Sequence, residues 1–384
     1  MSILDELDEM IATTLAPRAP EIDASAEFPQ DVVDAAARIG LQRVLVGGDG
    51  TLDVSRATLV HEVSERLAMH SMAAAVAISN GRLTTYLLMK YAPADVIERW
   101  VEPTLAGRAF GAFAITEPHA GSDVRGMTTV ATRDGDDYLL SGQKSWVGYA
   151  PNGHYAIVLA KEATTDRDAP MVALVVDTSL PGVTQAHGPA FSGLRGMANG
   201  TLAFDRVRVP ATSRLAVEGF GGMMDGLNLA RIDAASYACG LLRGALEASI
   251  ERAATREAFG KPLGHLPSIQ SKIGRMAADY RAARELTRLA SESFARGDGG
   301  DQDIISMAKM FASDAARRHT DEAVQIFGAE GIVESSWVNR LNRDAKVTQI
   351  FDGTSEIHET MLGRRAVRAF TRGDSLESFL VHVP

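Results

Sequence analysis

The hydrophobic period of this chain changes twice, and those two changes limit its fold more than any other feature. Up to about residue 107 apolar residues recur at helical spacing. Val32, Val33, Ala36 and Ile39 make one stripe, closed by Gly40. Ser55 is placed to cap a helix carrying Leu59, Val63 and Leu67, and Pro93 suits the first position of another. From about 108 to 215 the spacing shortens to that of strands. Val130–Arg133 and Tyr138–Ser141 flank the turn signal Asp134-Gly135. Tyr155–Ala160 and Met171–Val176 are short β-rich runs, and Leu202, Phe204, Val207 and Val209 alternate with a break at Asp205-Arg206. Pro181–Gly200 reads as loop. From about 216 the helical period returns in three stripes, one running from Leu241 to Ile250, one from Ile269 to Tyr280 and one from Ile304 to Ala315. The expected architecture is α+β and multidomain: a helical domain over 1–107, a β domain over 108–215 and a helical bundle over 216–384.

Charge and cysteine usage narrow the classes further. The chain has 384 residues and a formal net charge of -10. That argues against a general nucleic-acid binder, which carries a basic face. It leaves room for an anionic ligand held locally by a few arginines. Cys239 is the single cysteine and sits in an apolar run, as a small buried hydrophobe would. The start, Met1 to Glu6, is acidic and lacks a signal-peptide core. No apolar run reaches the roughly 20 residues needed to span a bilayer. The expectation is a cytoplasmic protein with no membrane partner and no nucleic acid.

Several chemistries are missing. There is no G-x-S-x-G elbow, no H-E-x-x-H and no Walker loop, and the nine His residues lack metal-ligand spacing. Gly219-Phe220-Gly221-Gly222 only approaches a dinucleotide fingerprint and reads as a loop before a helix.

Three segments carry candidate chemistry. Phe113 to Asp123 mixes backbone-permissive residues with short hydroxyls, suited either to a turn or to a flat polar heterocycle. Trp146 follows the hairpin and reads either as core or as a stacking wall. Arg256-Glu257-Ala258-Phe259-Gly260 offers a guanidinium fork that matches a pyrophosphate. In Arg343 to Glu356, Asp352 follows the apolar Ile350-Phe351. A carboxylate in apolar surroundings is a stronger base, but an Asp here also reads as a cap for a helix beginning near Ser355.

Taken together, the motifs T-E-P-x-A-G-S-D (Thr116 to Asp123), R-x-x-F-G (Arg256 to Gly260), Q-I-x-G-x-x-G (Gln325 to Gly331) and R-D-A-K…G-T-S (Arg343 to Ser355) resemble the acyl-CoA dehydrogenase family, in its order and spacing. The resemblance covers nearly the whole chain. It implies an N-terminal helical domain, a central β-barrel-like domain, a C-terminal four-helix bundle and FAD as cofactor. It implies that Phe113, Ile115, Thr116, Trp146 and Gly148 surround the flavin ring, and that Ser122 lies near flavin and substrate. Arg256 and Phe259 would contact FAD, and Thr354 and Glu356 its phosphate–adenosine part. Gln325, Gly328 and Ala329 would reach the FAD of a neighbouring subunit in a homotetramer. Asn228, Arg231 and Gly353 would serve the CoA or acyl portion. The implied reaction is α,β-dehydrogenation of an acyl-CoA or carrier-bound acyl thioester, with Asp352 as α-proton base and electrons passed to an electron-transfer flavoprotein or similar acceptor.

The chain departs from the family pattern at four places. Asp352 stands where most members have Glu, and one methylene less shortens the reach by roughly 1.5 Å. A misplacement near 1 Å costs on the order of 100-fold. The shorter base suits a bulky, branched or cyclic α-carbon. The residue before Arg231, where some members carry the base, is Ala230. Gly148 replaces a Thr that is common beside flavin N5, and Pro267 replaces a Gln that often touches FAD. Two alternatives stay open. One is a flavin oxidase or monooxygenase like nitroalkane oxidase, whose Asp base goes with an Arg at the position held here by Glu359. The other is a non-enzymatic FAD-binding protein.

Overall fold

The computed structural model describes residues 2–217 and 219–374. The N-terminal part is helical: α1 (Ile3–Met10), α2 (Ala16–Ser25), α3 (Gln30–Arg38), α4 (Ala57–His70), α5 (Met72–Tyr91) and α6 (Ala94–Leu105). Their starts differ from the sequence reading by small shifts. Asp53, not Ser55, caps the turn Val54–Arg56 before α4, accepting from Ser55 N–H, and Pro93 is the cap residue ahead of α6 rather than its first residue.

The middle part is an open, mixed sheet. Its strands are β1 (Gly111–Ala114), β2 (Val130–Asp134), β3 (Asp137–Gly148), β4 (Tyr155–Glu162), β5 (Met171–Asp177), β6 (Val183–His187) and β7 (Asn199–Pro210). The order is β1-β4-β2-β3-β7-β6, with β5 antiparallel to β4. The Asp134-Gly135 turn joins β2 to β3, and Gly135 takes the positive φ of 63° that such a turn requires. The break read at Asp205-Arg206 is a kink within β7, where Arg206 has φ 48°. β6 lies inside the stretch read as loop. Among the described residues it is an edge strand paired only to β7, and its mostly exposed side chains show no buried alternation.

The C-terminal part begins with the turn α7 (Gly219–Gly222) and continues with α8 (Met224–Thr255), the small hairpin β8 (Glu257–Ala258) and β9 (Lys261–Pro262), α9 (Pro267–Phe294), α10 (Gln302–Phe327), α11 (Trp337–Thr348) and α12 (Ser355–Arg372). α8 is buried along most of its length, packed by α4 and α5 on one side and by α9, α10 and α11 on others. The α4–α8 approach is tight enough to need glycine: a Cβ on Gly240 would lie 2.3 Å from the Glu65 carbonyl oxygen. Cys239, beside it, is fully buried as expected.

Candidate active site

The three parts enclose one cleft of about 1380 Å³. Ligand pockets usually run roughly 300–1,000 Å³, so this one has room for two ligands side by side. Its floor comes from α5 and α8, its wall from the sheet, and its rim from the segment between α11 and α12.

The wall is set by a bulge. The β3–β7 register shifts between Lys144 and Val147, and Trp146 takes φ 60°. A bulge re-aims a side chain. Here it leaves Trp146 56% exposed, lining the cleft and stacked on Phe191 at 5.9 Å. Trp146 is therefore not core. Phe113, Ile115, Thr116, Ser122 and Gly148 line the same cleft.

A buried ion pair holds the Ile115–Asp123 loop. Lys144 Nζ lies 2.8 Å from Glu117 Oε1 and donates to the Ile115 carbonyl at 2.9 Å. Glu117 also accepts from Thr128 N–H and Thr129 N–H. Burial alone would raise the Glu117 carboxyl, but Lys144 and these donors outweigh it and hold it at about 2.

Asp352 also faces this cleft, in the segment joining α11 to α12. It does not cap α12; Thr354 does, accepting from Ile357 N–H. Asp352 has φ 55°, and its turn is gripped by two helices. From α8, Arg231 Nε donates to the Asp352 carbonyl at 3.2 Å. From α10, Lys309 Nζ donates to the Gly353 carbonyl at 2.5 Å. Two further α10 side chains hold the flanks: Ser313 Oγ donates to the Thr348 carbonyl, and Asp314 accepts from Gln349 and Ser355. Burial pushes the Asp352 carboxyl up to about 6; Lys309 and Arg231 oppose this and Asp233 reinforces it. Burial likewise brings Lys309 down to about 8, against the pull of Asp352. His358, under the turn, is pushed down to about 3 by burial and then by Arg231 and Lys309, so it stays neutral.

The R-D of the R-D-A-K motif stitches the parts together. Arg343 bonds both Asp23 carboxylate oxygens, at 2.9 and 2.5 Å, and the Ser192 carbonyl. Asp344 Oδ1 accepts from Leu194 N–H at 2.6 Å.

Arg231, Gly353 and Thr354 line the cleft. Asn228 does not: it is buried, donates to the Gly299 carbonyl and accepts from Arg231, which makes it a support for that arginine. Glu356 is exposed on the first turn of α12 and lies outside the cleft. Arg256, Phe259, Gln325, Gly328 and Ala329 are also outside, exposed at one end of the bundle. Arg252 joins these two segments through an ion pair with Glu330 at 2.8 Å.

Sequence reading passed over Lys309, Asp233, Arg82, Tyr237 and Asn80. Lys309 was visible as a lysine four residues beyond Ile305 in an apolar stripe. Arg82 and Asp233 form a buried pair at 2.5 Å, also bonded by Ser64, and are 151 residues apart in the chain.

The comparisons agree with this geometry. Residues 1–108 match the acyl-CoA dehydrogenase N-terminal domain, 112–207 the middle domain and 217–367 the C-terminal domain. The chain belongs to the acyl-CoA dehydrogenase family. It is 35% identical over 374 residues to the cyclohex-1-ene-1-carbonyl-CoA dehydrogenase of Syntrophus aciditrophicus, covering 94% of this chain and 88% of that one. Butyryl-CoA dehydrogenase from Megasphaera elsdenii superposes with a TM-score of 0.88 at 30% identity, covering 95% of this chain and 97% of the other. Glutaryl-CoA dehydrogenase from Mycobacterium smegmatis in complex with FADH2 superposes at 0.85 and 26% identity, covering 94% and 93%. As a family member the chain is an FAD-dependent oxidoreductase. The cleft fits that cofactor: it has a flat aromatic wall, space beyond one ligand, and a buried amide, Asn199 Nδ2, with no partner among the described residues. An oxidase like nitroalkane oxidase is not favoured, and Glu359 is an exposed acid.

Proposed function

We propose that this chain desaturates an acyl thioester, on CoA or a carrier protein, with Asp352 taking the α-proton. The observation that carries the reading is Asp352 itself: a carboxylate with raised proton affinity, on a braced turn, sharing a cleft with the Trp146 wall. Bound FAD supplies the acceptor for the hydride from the β-carbon. Asp352 N–H has no acceptor among the described residues, so it is free to bond the thioester carbonyl and stabilise enolate-like charge. Arg231 and Lys309 hold the two carbonyls beside it and keep that N–H and the carboxylate in fixed relation. After reaction the proton rests on Asp352, and the electrons pass to an electron-transfer flavoprotein or similar acceptor.

Alicyclic or branched acyl thioesters are the first substrates to try. A short base leaves space at the α-carbon, and a relative named for a cyclohexene-carbonyl-CoA is 35% identical. A homotetramer accompanies the reading. Phe259 is 93% exposed, and Ile332, Val333 and Ile250 are exposed at the same end of the bundle. Apolar surface of this kind calls for cover, which light scattering at micromolar concentration would detect.

The deciding experiment is anaerobic mixing of purified holoenzyme with a thioester panel while following flavin absorbance. At least one thioester is expected to bleach the wild type. Asp352→Asn should bind it and leave the flavin oxidised; bleaching at an unchanged rate would remove Asp352 from the role of base.

A further inference from the structure

The space beside Gly148 is already taken. A Cβ built on this glycine would lie 2.9 Å from Asn80 Nδ2 and 3.2 Å from Met197 Cε. Asn80 projects from α5, is half-buried and lines the cleft. Its backbone carbonyl accepts from Thr84, but its side-chain amide bonds nothing among the described residues. Asn199, the register partner of Gly148 on β7, lines the cleft too, and its Nδ2 is buried without a partner among the described residues. Two carboxamides with unfilled bonding capacity thus line the cleft near Gly148: Asn80 directly against it, and Asn199 across the strand pair with its Nδ2 beside Gly188. A buried polar group left unbonded costs roughly 1–3 kcal/mol, so such groups normally meet a ligand or water.

The position of these amides indicates the ligand. Trp146 and Gly148 lie two residues apart on β3, at and just past its bulge, and both line the cleft. A fused ring system laid against the Trp146 wall would therefore have an edge at Gly148. We propose that the Asn80 side-chain amide, seated where a residue-148 side chain would stand, hydrogen-bonds the edge of the bound flavin ring, and that the Asn80–Gly148 pair tunes the cofactor. The proposal rests on flavin occupying this cleft; it does not depend on Asp352 being the base.

The test uses substrate-free holoenzyme, so that failure of the dehydrogenase reading and failure of this one are separable. Asn80→Leu keeps the shape and removes the bond. Gly148→Ala keeps the amide and pushes it away. Each should alter the flavin visible spectrum. Each should also change the ratio of affinities for oxidised and reduced flavin about three- to tenfold, the range of one neutral hydrogen bond, read as a shift in reduction potential. The double variant should go no further than either single one. Should Asn80→Leu fail to retain flavin, Gly148→Ala still decides alone. The proposal is overturned if spectrum and potential stay at wild-type values, if the two changes add, or if an effect appears only once an acyl thioester is bound.

Discussion

The pH dependence of flavin reduction is the most direct consequence of the site. A base must be ionised to take a proton, and burial places the Asp352 carboxyl at about 6. One pH step below that value costs about tenfold in the ionised fraction. At pH 5 about one molecule in eleven therefore holds the carboxylate, whereas nearly all do at pH 8. Of the groups around Asp352, His358 titrates near 3, below this window, and Arg231 stays protonated. Lys309 titrates near 8 and loses part of its charge at the upper end, where Asp352 is already ionised; burial raises Asp233, which is paired with Arg82. The first-order rate of anaerobic bleaching by an acyl thioester should rise about tenfold between pH 5 and pH 8. It should be measured by stopped flow at fixed ionic strength and saturating thioester, so that the rise reports the enzyme–substrate complex. An ordinary aspartate near 3.8 would be almost fully ionised at pH 5 and give a flat profile. A flat profile would refute the claim that an apolar setting activates this carboxylate.

Two further outcomes follow from the same turn. The gap between about 6 and 3.8 at Asp352 is worth about 3 kcal/mol. Because the folded value lies above the unfolded one, this penalty acts above about pH 6 and disappears below about pH 4. Asp352→Asn should thus raise the urea midpoint at neutral pH and barely change it at pH 4; an equal gain at both would point to packing instead. Lys309→Met removes both a charge that lowers the Asp352 carboxyl and the bond to the Gly353 carbonyl. Its limiting rate should fall on the order of 10- to 100-fold and the rising limb should move to higher pH, with Lys309→Arg returning the limb toward wild type. An unmoved limb would reduce Lys309 to a structural role.

The three-part layout was legible because backbone periodicity reports burial face by face. α3, the β2–β3 hairpin and the long C-terminal helices all follow from apolar spacing and turn chemistry. β6 was not legible, because its side chains are mostly exposed and backbone pairing to β7 leaves no imprint on residue type. The site divides in the same way. Residues close in sequence, such as Thr116 with Ser122 or Asp352 with Thr354, announced themselves as motifs and do line the cleft. Partners brought together only by packing did not. Asp233 sits inside one of the most apolar helices, and it is Arg82 from α5 and Ser64 from α4 that explain it. Gly148 looked like the loss of a contact until Asn80 was found in the space it leaves.

These observations also bear on the proposed base, Asp352, which is one methylene short. A residue at φ 55° is in the left-handed region, where Asp is among the side chains enriched. A longer, more flexible base could seek its substrate by rotating; a short one depends on where the backbone puts it. This backbone is held from α8 by Arg231 and from α10 by Lys309, Ser313 and Asp314. Both cations bond main-chain carbonyls, not the carboxylate, so their hydrogen bonds fix the turn without occupying the oxygens that take the proton in the proposed reaction. Their charge limits how far burial raises the carboxyl, and burial keeps it well above the ordinary value all the same. Placement is thus set by two helices and basicity by the apolar cleft. Changing the helices should alter rate and pH limb together, whereas changes to the cleft wall around Trp146 should alter cofactor properties first.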